Sequence, residues 1–335
     1  MILRKHILAL AAAVAVASPA AAQDALPDTS AERLPPGLTE GVVTIGTGEF
    51  AVTGVLTLPA GSGPFPGAVL MHGSGPGTRD LDVGPNKVFR EEAWGLAARG
   101  VAVLRYDKRA TAHAARFRAL GRAATLDEEF TEDGISAVRM LQGTPGVDPR
   151  RVYVVAHSQS TLMAADVARR TGAAGTVLIA ASARPAWMLI REQVEYTSAT
   201  SPDSSRDAHA RDMLAGLAKM QDPATPDSVV VLGLPMTYWR AADPARGRRD
   251  VDALLRDGGR VLVVHGGRDY LVTDTDFGIW RETFAGRANI ELRRYADLNH
   301  LMQPGEGRMK AEEYNQRRLV SPRLIQDVAE WIRGG

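Results

Sequence analysis

The chain has 335 residues, 45% of them hydrophobic, with 40 Lys and Arg against 39 Asp and Glu and no cysteine. That length buries a full core and suits one large α/β domain or two small ones. The balanced charge and the lack of a long basic run argue against a nucleic-acid partner or a polyanionic substrate. The absence of cysteine excludes disulfides, thiolate metal sites, a cysteine nucleophile and acylation of a leader cysteine.

Met1 to His6 is a basic start, and Ile7 to Ala17 is an apolar run too short to cross a bilayer. Ser18-Pro19-Ala20-Ala21-Ala22 supplies the small residues that a signal peptidase reads. Residues 1–22 are therefore expected to be a secretory signal, followed by a Pro- and Ala-rich linker over 23–40 and a folded domain over 41–335. No later apolar stretch is long enough to span a membrane, so a soluble periplasmic or secreted protein is expected.

Val42 to Ile45 and Phe50 to Leu58 flank Gly46-Thr47-Gly48 and read as an antiparallel hairpin. Gly67 to His72 is a continuous apolar run, the mark of a strand buried on both faces. A helix is predicted over Lys87 to Ala98, a strand over Val101 to Arg105, and a helix over Leu126 to Leu141. Val152 to Ala156 is a strand and Gln159 to about Arg170 a helix. Further buried strands fall at Thr176 to Ala180, Val261 to Val264 and Ile290 to Tyr295, before an amphipathic helix over Pro322 to Ile332. This alternation argues for a mostly parallel sheet covered on both faces. The rhythm breaks between Ala183 and Gly259, and an insertion of that length, about 184–259, reads as a cap over a site.

Val152 to Ser160 runs a strand into a helix through a turn with Ser158 at its apex, the context in which a Gly-x-Ser-x-Gly elbow presents a nucleophile. The small residues at −2 and +2 are Ala156 and Ser160 here, and a plain helix N-cap is the competing reading of Ser158. A serine nucleophile needs a base and an acid that orients the base, which in this topology follow in the order Ser, Asp, His. Asp269 follows the strand Val261 to Val264 through a Gly turn, and His300 sits in the loop after Ile290 to Tyr295. Each candidate thus leaves the carboxyl end of a strand, where sites gather in such sheets.

Asp274 and Asp276 read instead as helix caps, and Asp297 as pointing outward. His72, His157 and His265 end strands and read as packing or supporting residues. His113 lies in a polar loop, His209 in the insertion and His6 in the leader. An oxyanion needs backbone donors; the N–H groups of Gln159 and of Ser74, in the loop His72-Gly73-Ser74-Gly75-Pro76-Gly77, are the candidates. That loop lacks the third glycine of a dinucleotide turn, the chain has no P-loop pattern, and no His-Glu-x-x-His or comparable metal spacing occurs. No metal and no cofactor is expected.

With Leu58-Pro59, Gly84-Pro85-Asn86-Lys87, Leu104 to Arg109, Gly267 to Val272 and Leu298-Asn299-His300 added to these motifs, the chain from about Gly41 onward resembles the α/β-hydrolase superfamily. The resemblance is to bacterial serine esterases grouped with dienelactone-hydrolase-like and serine-aminopeptidase-like proteins. It implies an α/β fold with a mostly parallel eight-stranded sheet flanked by helices. It also implies Ser158 as nucleophile, Asp269 as acid, His300 as base, and oxyanion donation from the turn at His72-Gly73-Ser74. The departures are Ala156 and Ser160, where the group usually has glycine. A small-molecule ester is the expected substrate, with Trp187, Met236, Tyr238 and Trp239 as candidates to line its pocket. A peptidase, amidase or thioesterase of the same fold, or a binding protein that has lost catalysis, are the alternatives.

Overall fold

The computed structural model describes residues 33–200 and 204–334, with the side chains of 204–209 outside that description. The expected leader and most of the linker lie outside the described residues. Eight strands form the central sheet: β1 (Thr39–Ile45), β2 (Val52–Leu58), β3 (Phe65–Met71), β4 (Ala102–Tyr106), β5 (Val147–His157), β6 (Gly175–Ile179), β7 (Arg260–Gly266) and β8 (Ile290–Tyr295). Their spatial order is β1-β2-β4-β3-β5-β6-β7-β8. Strand β2 runs antiparallel to both its neighbours, and every pair from β4 to β8 is parallel. Strand β1 begins at Thr39, inside the stretch read as linker, because its first residues already pair with the end of β2.

The parallel strands are apolar without a break because both of their faces are covered. Val69 and Met71 of β3, with Val152, Val154 and Ala156 of β5, face one core, and Ala68, Leu70, Tyr153 and Val155 face the other. Helices α1 (Val88–Ala97) and α9 (Pro322–Arg333) close the second core. Helices α2 (Asp133–Gln142), α3 (Ala164–Thr171), α7 (Pro244–Arg256) and α8 (Asp274–Thr283) close the first. Helix α9 starts at Pro322 behind the Ser321 cap, whose hydroxyl accepts from the Leu324 N–H.

Between β6 and α7 the chain forms α4 (Ala186–Thr200), α5 (Ser204–Gln221), a two-stranded turn at Val230–Val231 and Leu234–Pro235, and α6 (Met236–Ala241). Helix α7, read as part of the insertion, instead belongs to the sheet cover. It packs on α3 and β7, burying Val251, Leu254 and Leu255, so the interruption ends at Asp243 and not at 259. The helix was hidden by its arginine-rich polar face and by Gly247, which presses on the backbone of Leu162. The long helix read over Leu126 to Leu141 also differs. A π-helical turn over Asp127–Glu132 precedes α2 and buries Glu129, Phe130 and Thr131.

Candidate active site

The loops that leave β3, β5, β7 and β8 meet at one edge of the sheet, because those parallel strands all end there. Ser158 follows the last residue of β5 with φ +57°, a left-handed conformation that costs a residue with a Cβ on the order of 1–3 kcal/mol. Its backbone is not that of a helix cap. Thr161 Oγ1 donates to the Ser158 carbonyl (2.6 Å), and the Ser160 hydroxyl, fully buried, accepts from the His157 N–H (3.1 Å) and donates to Met71 O (2.9 Å). Ser160 thus ties the turn to the end of β3, and Ala156 lies wholly within the core.

Asp269 and His300 come from neighbouring strand ends. Gly266, at the end of β7, leaves no room for a Cβ beside the carbonyls of Leu298 and Asn299, which lets the β8 loop fold over it. His300 Nδ1 meets Asp269 Oδ2 at 2.6 Å, with both side chains buried. The other carboxylate oxygen accepts from the N–H groups of Leu271 (2.7 Å) and Val272 (3.1 Å). Buried Asn299 accepts from the N–H groups of Leu301 and Gln303, which fixes the loop that carries His300. His157 Nε2 donates to the His300 carbonyl at 2.8 Å, and the two imidazoles meet edge to face. Burial, with the His300 ring alongside, pulls the His157 pKa down to about 3, and burial pulls that of His72 to about 4. Both rings are therefore neutral hydrogen-bonding parts of the frame.

Gly73 and Ser74 follow β3 and face the serine turn. A Cβ on Gly73 would stand 2.8 Å from the Ser158 Cβ, so glycine is required for this approach. Asp274 and Asp276 do lie in the first turn of α8, behind Thr273 at the cap position, and Asp274 pairs with Arg294. Asp276, fully buried, accepts from the N–H groups of Ala183 and Arg184 and from the Arg184 guanidinium, fastening the start of the interrupting segment. Asp297 is exposed, as expected.

Ser74, Ser158, Gln159 and His300 line one cavity of about 300 Å³. Its walls are largely apolar and include Leu189 and Ile190 of α4, Met213 of α5, Trp239 of α6, and Leu271 and Val272. Of the four aromatic and sulfur side chains expected there, Trp239 takes its place in the wall and the other three do not. Met236 is buried in the core, Trp187 packs partly buried against it, and the Tyr238 hydroxyl turns to Glu129. A helix as short as α6 presents one face to a cavity, and sequence does not say which. Among the described residues, no group of three or more His, Asp or Glu is placed to hold a metal ion.

A strand-turn-helix serine, sharing one cavity with the histidine of a buried Asp–His pair at the carboxyl edge of a mostly parallel eight-stranded sheet, defines the α/β-hydrolase fold class. The family model described as "Alpha/beta hydrolase family" matches residues 68–307, and the chain belongs to that family. It is similar to Esterase EstD of Thermotoga maritima, 36% identical over 282 residues, or 83% of this chain. The chain spans 65% of the length of that relative. Among solved structures it resembles Est1E from Butyrivibrio proteoclasticus (TM-score 0.53, 18% identity, 88% of this chain and 96% of that one). It also resembles an esterase from Pyrococcus furiosus (TM-score 0.55, 14% identity, 89% and 91%). At these identities the structural likeness is one of fold.

Proposed function

We propose that this chain is a carboxylesterase in which Ser158, His300 and Asp269 form a catalytic triad. The observation that carries the reading is the strained Ser158 turn opening, with the Asp269-held His300, into one largely apolar cavity. With Nδ1–H donated to Asp269, the Nε2 of His300 is left unprotonated and able to take the serine proton. Ser158 Oγ attacks the ester carbonyl carbon while its proton passes to Nε2. The resulting oxyanion is held by the N–H groups of Ser74 and Gln159. On collapse the carbon–alkoxide bond breaks, the alcohol leaves with the proton from His300, and water repeats the sequence on the acyl-enzyme.

The cavity suits uncharged esters. Its walls are largely apolar, and the two charged side chains in the lining among the described residues, Arg184 and Asp82, are already engaged, the first by Asp276 and Glu192 and the second by Lys87. Helices α4 to α6 act as the cap, supplying much of that wall. The likeness to Esterase EstD, an esterase by name, supports the same reaction. Residues 1–22 serve in this reading as an export signal, testable by sequencing the N-terminus of the secreted or periplasmic chain.

The test is labelling with a fluorophosphonate probe together with hydrolysis of a series of p-nitrophenyl esters. Ser158→Ala is expected to abolish labelling and lower kcat by about 10⁴-fold or more while the chain stays folded. A folded mutant that keeps its turnover rules out the serine mechanism.

A further inference from the structure

Lys108 is a buried cation that the proposed mechanism leaves without a task. Its side chain is 1% exposed, and withdrawing an ammonium from water costs several kcal/mol unless each of its donors is used. All three are. Nζ donates to Gly73 O at 2.8 Å and to Gly75 O at 2.9 Å, and it meets Glu129 Oε1 at 3.1 Å. The Phe130 ring lies beneath it, 4.3 Å away. The π-helical turn places Glu129 and Phe130 together against the lysine.

The carbonyl that Lys108 grips is the informative one. Gly73 C=O and Ser74 N–H belong to one planar trans peptide, so they point in opposite directions. Fixing the oxygen on the buried ammonium aims the N–H away from it, and Ser74 lines the cavity. Among the described residues that N–H has no acceptor. The second grip, on Gly75, precedes Pro76, which has no N–H to orient. It fixes the path of the loop, whose Gly75 has φ +79°.

The chain of contacts continues. Glu129 Oε2 accepts from the Tyr238 hydroxyl at 3.0 Å, and the same hydroxyl lies 3.4 Å from Gln159 Oε1. Tyr238 belongs to α6 in the interrupting segment. Gln159 carries the other candidate oxyanion donor. One buried network therefore reaches both donor residues and the helix above them.

We infer that Lys108 is a positioning residue for the oxyanion site, and that the Lys108–Glu129–Tyr238 chain couples that site to helix α6. The inference rests on the serine-esterase reading above. Lys108 touches no substrate. Its effect passes through the Ser74 peptide and falls on the tetrahedral state, where charge on the oxygen is greatest, more than on bound ester.

The experiment compares wild type with Lys108→Met, which keeps the length and loses every donor, and with Tyr238→Phe, which loses one hydroxyl. The readouts are kcat and KM on p-nitrophenyl butyrate and the inhibition constant of an alkyl boronic acid, whose serine adduct is a tetrahedral anion. Urea midpoints report folding. Lys108→Met is expected to lower kcat by about 100-fold with KM within about threefold, and to weaken the boronate by a similar factor. Tyr238→Phe is expected to lower kcat by about fivefold at unchanged KM. A folded Lys108→Met that keeps kcat and boronate affinity within about threefold overturns the inference. Should Lys108→Met fail to fold, unchanged kcat in Tyr238→Phe overturns the coupling. Wild type that takes no fluorophosphonate and cleaves no ester overturns the esterase reading and this one together. Active wild type with an unaffected lysine variant overturns this one alone.

Discussion

Replacing Ser160 by glycine gives the elbow the residue common in related turns, and the structure says this should weaken the protein. The hydroxyl ties together three backbone groups on two segments, His157 N–H (3.1 Å) and His157 O (3.1 Å) on one and Met71 O (2.9 Å) on the other, at a position with no solvent exposure. Buried groups that lose a partner cost roughly 1–3 kcal/mol between them. The freedom of glycine in the unfolded chain adds about 0.5–1 kcal/mol. Ser160→Gly should therefore cost about 2–4 kcal/mol, a visible part of the roughly 5–15 kcal/mol of a stable domain, and lower Tm by roughly 5–10 °C.

Turnover should respond much less. Ser158 is also held by Thr161, through its own carbonyl at 2.6 Å, and by β5 on its N-terminal side. We expect kcat/KM on p-nitrophenyl butyrate within about tenfold of wild type, a barrier change below about 1.4 kcal/mol. Urea denaturation of wild type, Ser160→Ala and Ser160→Gly separates the hydroxyl from the backbone effect. Unchanged stability in both mutants would refute the bonding argument. A gain in turnover of about a hundredfold or more in Ser160→Gly would show that serine misaligns the native elbow and favour a binding role for the chain.

Two further predictions follow from crowding and from burial. Gly73→Ala places a Cβ 2.8 Å from that of Ser158, so probe labelling and kcat should fall by about 100-fold or more, and a fully active mutant would mean the loop has room to retreat. Glu92 is buried on α1 with Oε2 unpartnered among the described residues, and burial, assisted by the charge of Glu91, pushes its pKa up to about 8. Its folded-state pKa is raised, so its contribution to stability is full below the unfolded value near 4.5 and is lost as pH rises toward 8. Glu92→Met should therefore stabilise more at pH 8 than at pH 5, by on the order of 3 kcal/mol in urea denaturation, and an equal effect at both would refute the shift.

The sheet was largely legible in the residues. Runs such as Gly67 to Met71 and Val261 to Val264 are apolar at every position because both faces of those strands are buried, and that local signature survives without knowledge of partners. Ser158, Asp269 and His300 stood out for a similar reason: each follows a strand, and parallel strands bring their carboxyl ends to one edge. Other features depend on contacts between distant segments. The 2.6 Å meeting of Asp269 and His300 exists because β7 and β8 are neighbours and Gly266 lets the next loop close over it. Asp276 resembled a cap until the loop at Ala183 and Arg184 came to rest on it. Lys108, which the sequence offered only as part of a family motif, acquires its significance from Gly73, 35 positions away, and from Glu129. Tyr238 likewise turned from the cavity to Glu129, 109 positions away. Periodicity and turn chemistry are local and can be read along the chain, whereas the direction a polar side chain takes is set by whichever buried partner the tertiary fold brings within hydrogen-bonding distance.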